Sequence, residues 1–247
     1  KRFKETCMFL EVDDYKNKKL NFTFTDSKEK LSTNLKNNSI DNFYKNLNID
    51  YNFNSQGFRE KEFSTIDWNN SIVLFGCSFV TGEGLPENGM ITLHLSKMLN
   101  MPVINLGGIG TSVIFSAYNN LRLKDNYKPK AVINLWTTIY RYTYFNETNN
   151  HIDCGLWNLE ESESEFFKYS LKHEKNLQMH QLYLRNFTKT IWNDTTYVDA
   201  SMFEETANLF NIDWLKKDDC GRDNIHPGPK TSYSVALYLK DKLQGLI

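Results

Sequence analysis

Cysteine, proline and glycine are scarce in this 247-residue chain, at four, five and twelve residues. Cys7, Cys77, Cys154 and Cys220 are widely spaced, form no C-x-x-C pair and are too few for a disulfide framework. A single disulfide and either redox compartment stay open. No Pro/Gly-rich linker and no internal repeat marks off a second domain. Long apolar runs are also missing. The run from Ser71 to Gly76 (SIVLFG) and the segment around Ala131 to Trp136 are far too short to cross a bilayer, which predicts a soluble chain. Neither charge dominates: 29 Lys+Arg against 30 Asp+Glu give a formal net charge of -1. The basic residues are scattered, so no stripe exists to neutralise a phosphate backbone, and nucleic acid is not expected as a partner.

The chain starts with Lys rather than Met and shows no signal-peptide pattern, which leaves open whether a leader was removed. Six N-x-S/T sequons (Asn21, Asn37, Asn69, Asn146, Asn186, Asn193) are expected partly by chance in so Asn-rich a sequence, and they do not establish secretion. An extracellular or virion-associated setting is therefore not decided, and neither is the oligomeric state. What the chain does contain is 40% hydrophobic and 14% aromatic residues, enough to offset the entropy of ordering a packed globule.

Residues 1–70 are polar and without a strong period, and they read as an irregular N-terminal extension packed on the core, with a few short strands or a helix. Within it, Asn54-Ser-Gln-Gly-Phe-Arg59 reads as a turn followed by an anchoring aromatic. From Ser71 the texture changes. SIVLFG is a buried strand, and Ile91, Leu95 and Met98 recur on one face of a following helix. The segment MPVINLG is a second strand, followed by a helix from Thr111 to Lys124 with a Thr/Ser cap. Lys130 to Trp136 is a third strand. One long helix is predicted over Glu160 to Ile191, with Leu177, Leu184, Phe187 and Ile191 on one face. A strand is predicted near Thr195 to Val198. The last helix, about Lys230 to Leu243, carries Ala236, Leu239, Leu243 and Leu246 on a common stripe. Buried strands alternating with helices indicate an α/β fold with a parallel sheet covered on both faces, over residues 71–247.

Three motifs could carry chemistry. Ser78 in Gly76-Cys-Ser-Phe-Val-Thr-Gly82 follows the strongest strand directly. A Ser where a strand turns abruptly projects its hydroxyl above the carboxyl edge of the sheet, and its N–H can face the same point. Taken alone, the same pattern also describes an ordinary loop or phosphate-binding turn. Asp223-Asn-Ile-His226-Pro227 has a carboxylate and an imidazole three residues apart, so Asp223 can accept from Nδ1–H and leave Nε2 as a base. In isolation it also reads as a surface loop with a solvated Asp. The other histidines (His94, His151, His173, His180) lack such a partner at that spacing and are expected to cap, pack or face water. Asn105-Leu-Gly-Gly-Ile-Gly110-Thr-Ser112 lets backbone N–H groups approach an anion closely. Its glycines do not fit G-x-G-x-x-G, which disfavours a nicotinamide or flavin site.

In this order, the Gly-x-Ser block, the Gly block and the late Asp-x-x-His resemble the SGNH (GDSL-like) hydrolase family from about Ser71 to the C-terminus. Asn54, Gly57 and Arg59 also look like the segment preceding the Ser block in some members. The resemblance implies a three-layer α/β/α, flavodoxin-like sheet. It implies Ser78 as nucleophile, Asp223 and His226 completing a triad, the Ser78 and Gly110 amides as oxyanion donors, and no metal or organic cofactor. The implied substrate is a small acyl ester, such as an acetyl group on a carbohydrate, and transfer to an acceptor other than water would use the same residues.

Two positions depart from the family pattern. Cys77 stands where Asp is usual and is expected to be packed in the core rather than to act as a nucleophile. The Gly-x-Asn-Asp block is replaced by Leu135-Trp-Thr-Thr-Ile-Tyr-Arg141, which removes the Asn oxyanion donor unless Thr137, Thr138 or Arg141 substitutes. Loss of one such donor typically lowers turnover about 10²–10³-fold. The competing reading is therefore an SGNH-shaped binding or structural module, in a surface or virus-like assembly, that has lost effective catalysis. The aromatic stretch Trp136 to Phe145 would suit sugar stacking under either reading.

Overall fold

The structure, a computed structural model, describes residues 9–146, 150–158 and 165–246; Cys7 and the predicted start of a helix at Glu160 lie outside them. In the polar lead-in, β1 (Lys19–Leu20) pairs antiparallel with β2 (Tyr51–Asn52). Between them runs α1 (Lys28–Lys36), whose N-cap Ser27 accepts from the Lys30 N–H and so satisfies one of the free donors of the first turn. The turn at Asn54 forms as its residue types demand. The Asn54 Oδ1 accepts from the Gln56 and Phe58 amides, both at 3.0 Å, and Phe58 is fully buried.

The core then alternates strands and helices. β3 (Ile72–Gly76) leads into α2 (Ser78–Thr81) and α3 (Ile91–Leu99). β4 (Val103–Gly107) leads into α4 (Val113–Asn126), with Ser112 as its cap: the hydroxyl accepts from the Ile114 and Phe115 amides. β5 (Ala131–Trp136) is followed by an antiparallel hairpin, β6 (Tyr142–Phe145) and β7 (His151–Cys154). Next come α5 (Glu165–Lys172), α6 (Glu174–Ile191), β8 (Thr196–Ser201), α7 (Glu204–Phe210), β9 (Asp213–Trp214) and α8 (Pro229–Leu243).

The sheet runs β4-β3-β5-β8-β9 with every pairing parallel. Numbered by appearance in the sheet, this order is 2-1-3-4-5, the flavodoxin-like order. Alternation along β3 sends Ile72 and Leu74 to one face, where α3 and α8 cover them with Ile91, Leu95, Val235 and Leu239. Val73 and Phe75 point to the other face, against Phe115 and Leu123 of α4 and against Phe9, Phe58, Phe63 and Trp68 of the lead-in. Fully burying each such side chain contributes about 1.5–3 kcal/mol, so the lead-in is held by the core rather than draped over it.

Three sequence expectations change. The long helix is two helices, because His173 leaves helical geometry between α5 and α6 (φ -112, ψ 51). On α6 the buried stripe runs through Leu177, Gln181 and Thr188, while Phe187 is exposed; two polar residues that find partners replace the expected apolar one. Leu246 lies beyond the end of α8 and is exposed. Cys77 and Cys154 are buried, and Cys77 and Cys220 form no disulfide among the described residues. Among the described residues no helix is long and apolar enough to cross a membrane.

Candidate active site

Ser78 opens α2 immediately after β3. Gly76 and Gly107, paired in register on β3 and β4, leave the turn no room for side chains: a Cβ on either would lie 2.5 Å from an atom of Val80 or Thr81. Gly82 ends α2 in the left-handed region (φ 75), which returns the chain toward the sheet edge. Cys77 is 2% exposed.

His226 lies on the loop before α8. The Asp219 carboxylate ties that loop to the helix, accepting from the Lys230 and Thr231 amides at 3.0 and 2.8 Å, where an acceptor also suits the positive end of the helix dipole. Asp223 Oδ1 accepts from the Ile225 and His226 amides, both at 3.1 Å, which orients the other oxygen toward the ring. His226 Nδ1 is 2.5 Å from Asp223 Oδ2, and Nε2 is 2.8 Å from Ser78 Oγ. Phe79 meets the imidazole edge-to-face at 5.3 Å. All three polar side chains are buried. Burial pushes the Asp223 carboxyl up, but the hydrogen bond and charge of His226 and the two amides outweigh it and hold the group below its ordinary range.

The remaining histidines stand apart. His94 packs edge-on against Tyr233, His180 lies over Tyr142, and His173 marks the break before α6. His151 does have an acidic neighbour, with Nε2 3.8 Å from Asp153 Oδ2; adjacent same-face positions of a strand allow what the three-residue spacing did not suggest.

The lead-in grips both loops that carry these groups, through residues not singled out in the sequence as site residues, apart from Arg59 of the turn motif. Arg59 donates to the carbonyls of Gly82 and Leu85 at 2.8 and 3.0 Å, on the Ser78 side. Glu83, fully buried, accepts from the hydroxyls of Thr23 and Thr25. Tyr51 bridges: its hydroxyl accepts from Gly84 N–H at 2.8 Å and donates to Asp26 at 2.5 Å. Asp26 in turn pairs with Arg222, next to Asp223. Gly84 (φ 77) packs so closely on Arg222 and Asp223 that a Cβ would come within 3.0 Å of both. Buried charged residues are rare, so composition offers no signal for them; the adjacency of Arg222 to Asp223 is the one clue.

The Gly block continues β4. Gly108 N–H donates to Gly76 O at 3.0 Å, and Gly110 takes φ 78 just before Ser112 caps α4. Among the described residues, no protein acceptor takes the amides of Ser78 or Gly110. In the β3–β5 register Gly76 faces Leu135, so Ser78 and Thr137 leave adjacent strands at the same level. This is the switch point of the sheet, where open α/β folds bind ligands.

The three candidate substitutes for Asn separate. The Thr137 hydroxyl is buried and finds no partner among the described residues. Thr138 donates its hydroxyl to Glu205 at 2.8 Å. Arg141 donates to Thr111 O at 3.3 Å and stacks over the Trp157 ring at 5.0 Å. Of the aromatic stretch, Trp136 is in the core against Phe210, so it is not free to stack on a sugar. Phe145 of that stretch is exposed and meets Tyr118 of α4, while exposed Trp157, outside the stretch, lines the open face of Gly110.

No family model and no curated protein matches the chain. Solved structures are similar to it in fold at low identity. An acetyl xylan esterase from the rumen bacterium Butyrivibrio proteoclasticus is 12% identical, with a TM-score of 0.46 over 74% of this chain. A lipolytic protein of the G-D-S-L family from Desulfitobacterium hafniense is 16% identical, with a TM-score of 0.34 over 71% of this chain and 100% of its own. A lipolytic G-D-S-L family member from Veillonella parvula is 14% identical, with a TM-score of 0.31 over 70% of this chain and 95% of its own. The chain spans 66% of the length of the acetyl xylan esterase, short of two thirds.

Proposed function

We propose that this chain is a serine ester hydrolase of the SGNH type, acting on a small acyl ester such as an acetyl group on a carbohydrate. The observation that carries the reading is the continuous buried path Ser78 Oγ, His226 Nε2, His226 Nδ1, Asp223 Oδ2, with links of 2.8 and 2.5 Å. Asp223 accepts the Nδ1–H, which fixes the tautomer whose Nε2 lone pair faces the serine hydroxyl.

As Ser78 Oγ bonds to the ester carbonyl carbon, its proton passes to Nε2 and the carbonyl π electrons move onto oxygen. The amides of Ser78 and Gly110 receive that oxyanion, with the Thr137 hydroxyl as the third donor in place of the family Asn. The Nε2 proton then goes to the departing alkoxide as the carbon–oxygen bond breaks, leaving an acyl-serine. Water, deprotonated by His226, cleaves the acyl-serine by the reverse sequence and restores the enzyme. Exposed Trp157 beside Gly110 offers a ring face to the sugar portion.

The test is hydrolysis of p-nitrophenyl acetate by wild type, Ser78→Ala and Cys77→Ala, with a fluorophosphonate probe and mass spectrometry to locate the labelled residue. Turnover and labelling are expected to vanish in Ser78→Ala alone. Equal background rates in all three, with no label on Ser78, would instead indicate a binding or structural module. Loss in Cys77→Ala alone would overturn the choice of nucleophile.

A further inference from the structure

The imidazole of His226 is flanked by two carboxylates rather than one. Besides Asp223 at Nδ1, Glu83 Oε2 lies 3.3 Å from Nε2. Glu83 sits five residues after Ser78, on the loop leaving α2, and its side chain is entirely shielded from solvent. Its two oxygens have different company. Oε1 accepts from the hydroxyls of Thr23 and Thr25, whereas Oε2 has no hydrogen-bond donor among the described residues. A buried carboxylate oxygen without a donor is costly, so its close approach to Nε2 calls for an account.

Nε2 changes character during turnover. In the resting tautomer Nδ1 carries the proton and Nε2 presents a lone pair, which gives Oε2 nothing to accept. Once Nε2 has taken the proton of Ser78, an N–H stands between Ser78 Oγ and Glu83 Oε2, and the ring carries a positive charge. The contact is thus stronger in the charge-separated state than in the ground state, the condition for an interaction to accelerate a chemical step.

We infer that Glu83 is a second carboxylate of the catalytic centre, whose Oε2 accepts the Nε2–H of the His226 imidazolium formed as Ser78 attacks. The inference rests on the esterase reading given above. Glu83 takes no proton itself: the proton moves from Ser78 Oγ to Nε2 and on to the leaving alkoxide, and Glu83 holds the charged ring in place between those events. The two threonines fix the carboxylate through Oε1, so the lead-in is a working part of the site. Among the described residues, the charged groups facing His226 are Asp223 from its own loop and Glu83 from the loop after α2. Behind them Asp26 and Arg222 neutralise each other.

The experiment compares wild type, Glu83→Gln and Glu83→Asp by NMR titration of the His226 ring and by the pH profile of p-nitrophenyl acetate hydrolysis. A nearby negative charge favours imidazolium. Removing it in Glu83→Gln is therefore expected to shift the His226 titration and the acid limb of kcat/KM down by about one pH unit, and to lower the plateau rate roughly 10–100-fold. Glu83→Asp, which keeps the charge, is expected to restore most of the shift. A folded Glu83→Gln protein with an unmoved His226 titration overturns the inference, even if hydrolysis persists. A shifted titration without hydrolysis in any variant supports the Glu83–His226 pairing and overturns the esterase reading instead. Should Glu83→Gln fail to fold, Thr25→Val carries the test: losing one donor leaves more charge on Oε2, and the His226 titration is expected to rise. An unmoved titration there also overturns the inference.

Discussion

Asp26 and Arg222 stand 196 positions apart in sequence and meet as a doubly hydrogen-bonded ion pair shielded from solvent, with Nε–Oδ1 at 2.9 Å and Nη2–Oδ2 at 2.7 Å. The guanidinium also donates to the carbonyls of Leu47 and Asn21 and lies over the Phe22 ring at 4.5 Å. All three guanidinium nitrogens thereby donate, and such hydrogen bonding is what lets two buried charges be tolerated. Because Arg222 precedes Asp223 directly, the pair fastens the histidine loop to the lead-in, while Glu83 and Tyr51 fasten the serine loop to it.

Breaking one side of this pair leaves the other charge buried and unpaired. Asp26→Ala is expected to cost about 3–5 kcal/mol in urea unfolding. Removing both charges with apolar residues of similar volume (Asp26→Leu with Arg222→Met) should cost clearly less. Equal losses in the single and double variants would show that the packing of Arg222, and not its charge, holds the loop.

Thr137 separates a catalytic hydroxyl from a structural one. Thr137→Val keeps the shape and deletes a buried group that has no partner among the described residues. Folding stability should therefore stay level or rise slightly, since no hydrogen bond is lost. If the hydroxyl meets the oxyanion, kcat falls roughly 10²–10³-fold with little change in KM. An unchanged kcat would remove Thr137 from the oxyanion hole and turn attention to Arg141.

Asp153 gives the fold a pH dependence of its own. Burial drives its carboxyl up to about 7, against the opposing hydrogen bond from Thr143 and the charge of Arg141. The ordinary value is 3.8, so between 3.8 and about 7 the folded protein keeps a proton that the unfolded chain releases. Stability then falls as pH rises through that window, with a slope of at most ~1.4 kcal/mol per pH unit for one proton. Asp153→Asn is expected to flatten the decline and to be more stable than wild type at pH 8, as measured by unfolding at a series of pH values. The same slope in both proteins would assign it to another group.

The order of elements was legible because strands buried on both faces have a plain signature. Ile72 to Gly76 is a continuous apolar run and Ala131 to Trp136 is broken only by Asn134, each is short and set next to a helical pattern, and that alternation indicates a parallel sheet. The turns that hold Ser78 and Gly110 and the local pairing of Asp223 with His226 were also open to reading, because turns at sheet edges demand small residues and a three-residue spacing is local; each motif alone also fitted an ordinary loop, and only their order, through the family resemblance, joined them into one candidate site. Tertiary structure alone decided what depends on residues distant in the chain meeting without water. Nothing in the sequence marks Glu83 as the neighbour of His226 or Asp26 as the partner of Arg222, or separates Thr137, whose hydroxyl has no partner among the described residues, from Thr138 and Arg141. A charge or hydroxyl reads alike in a solvated loop and in a dry interior, and only burial turns it into a specific, costly contact.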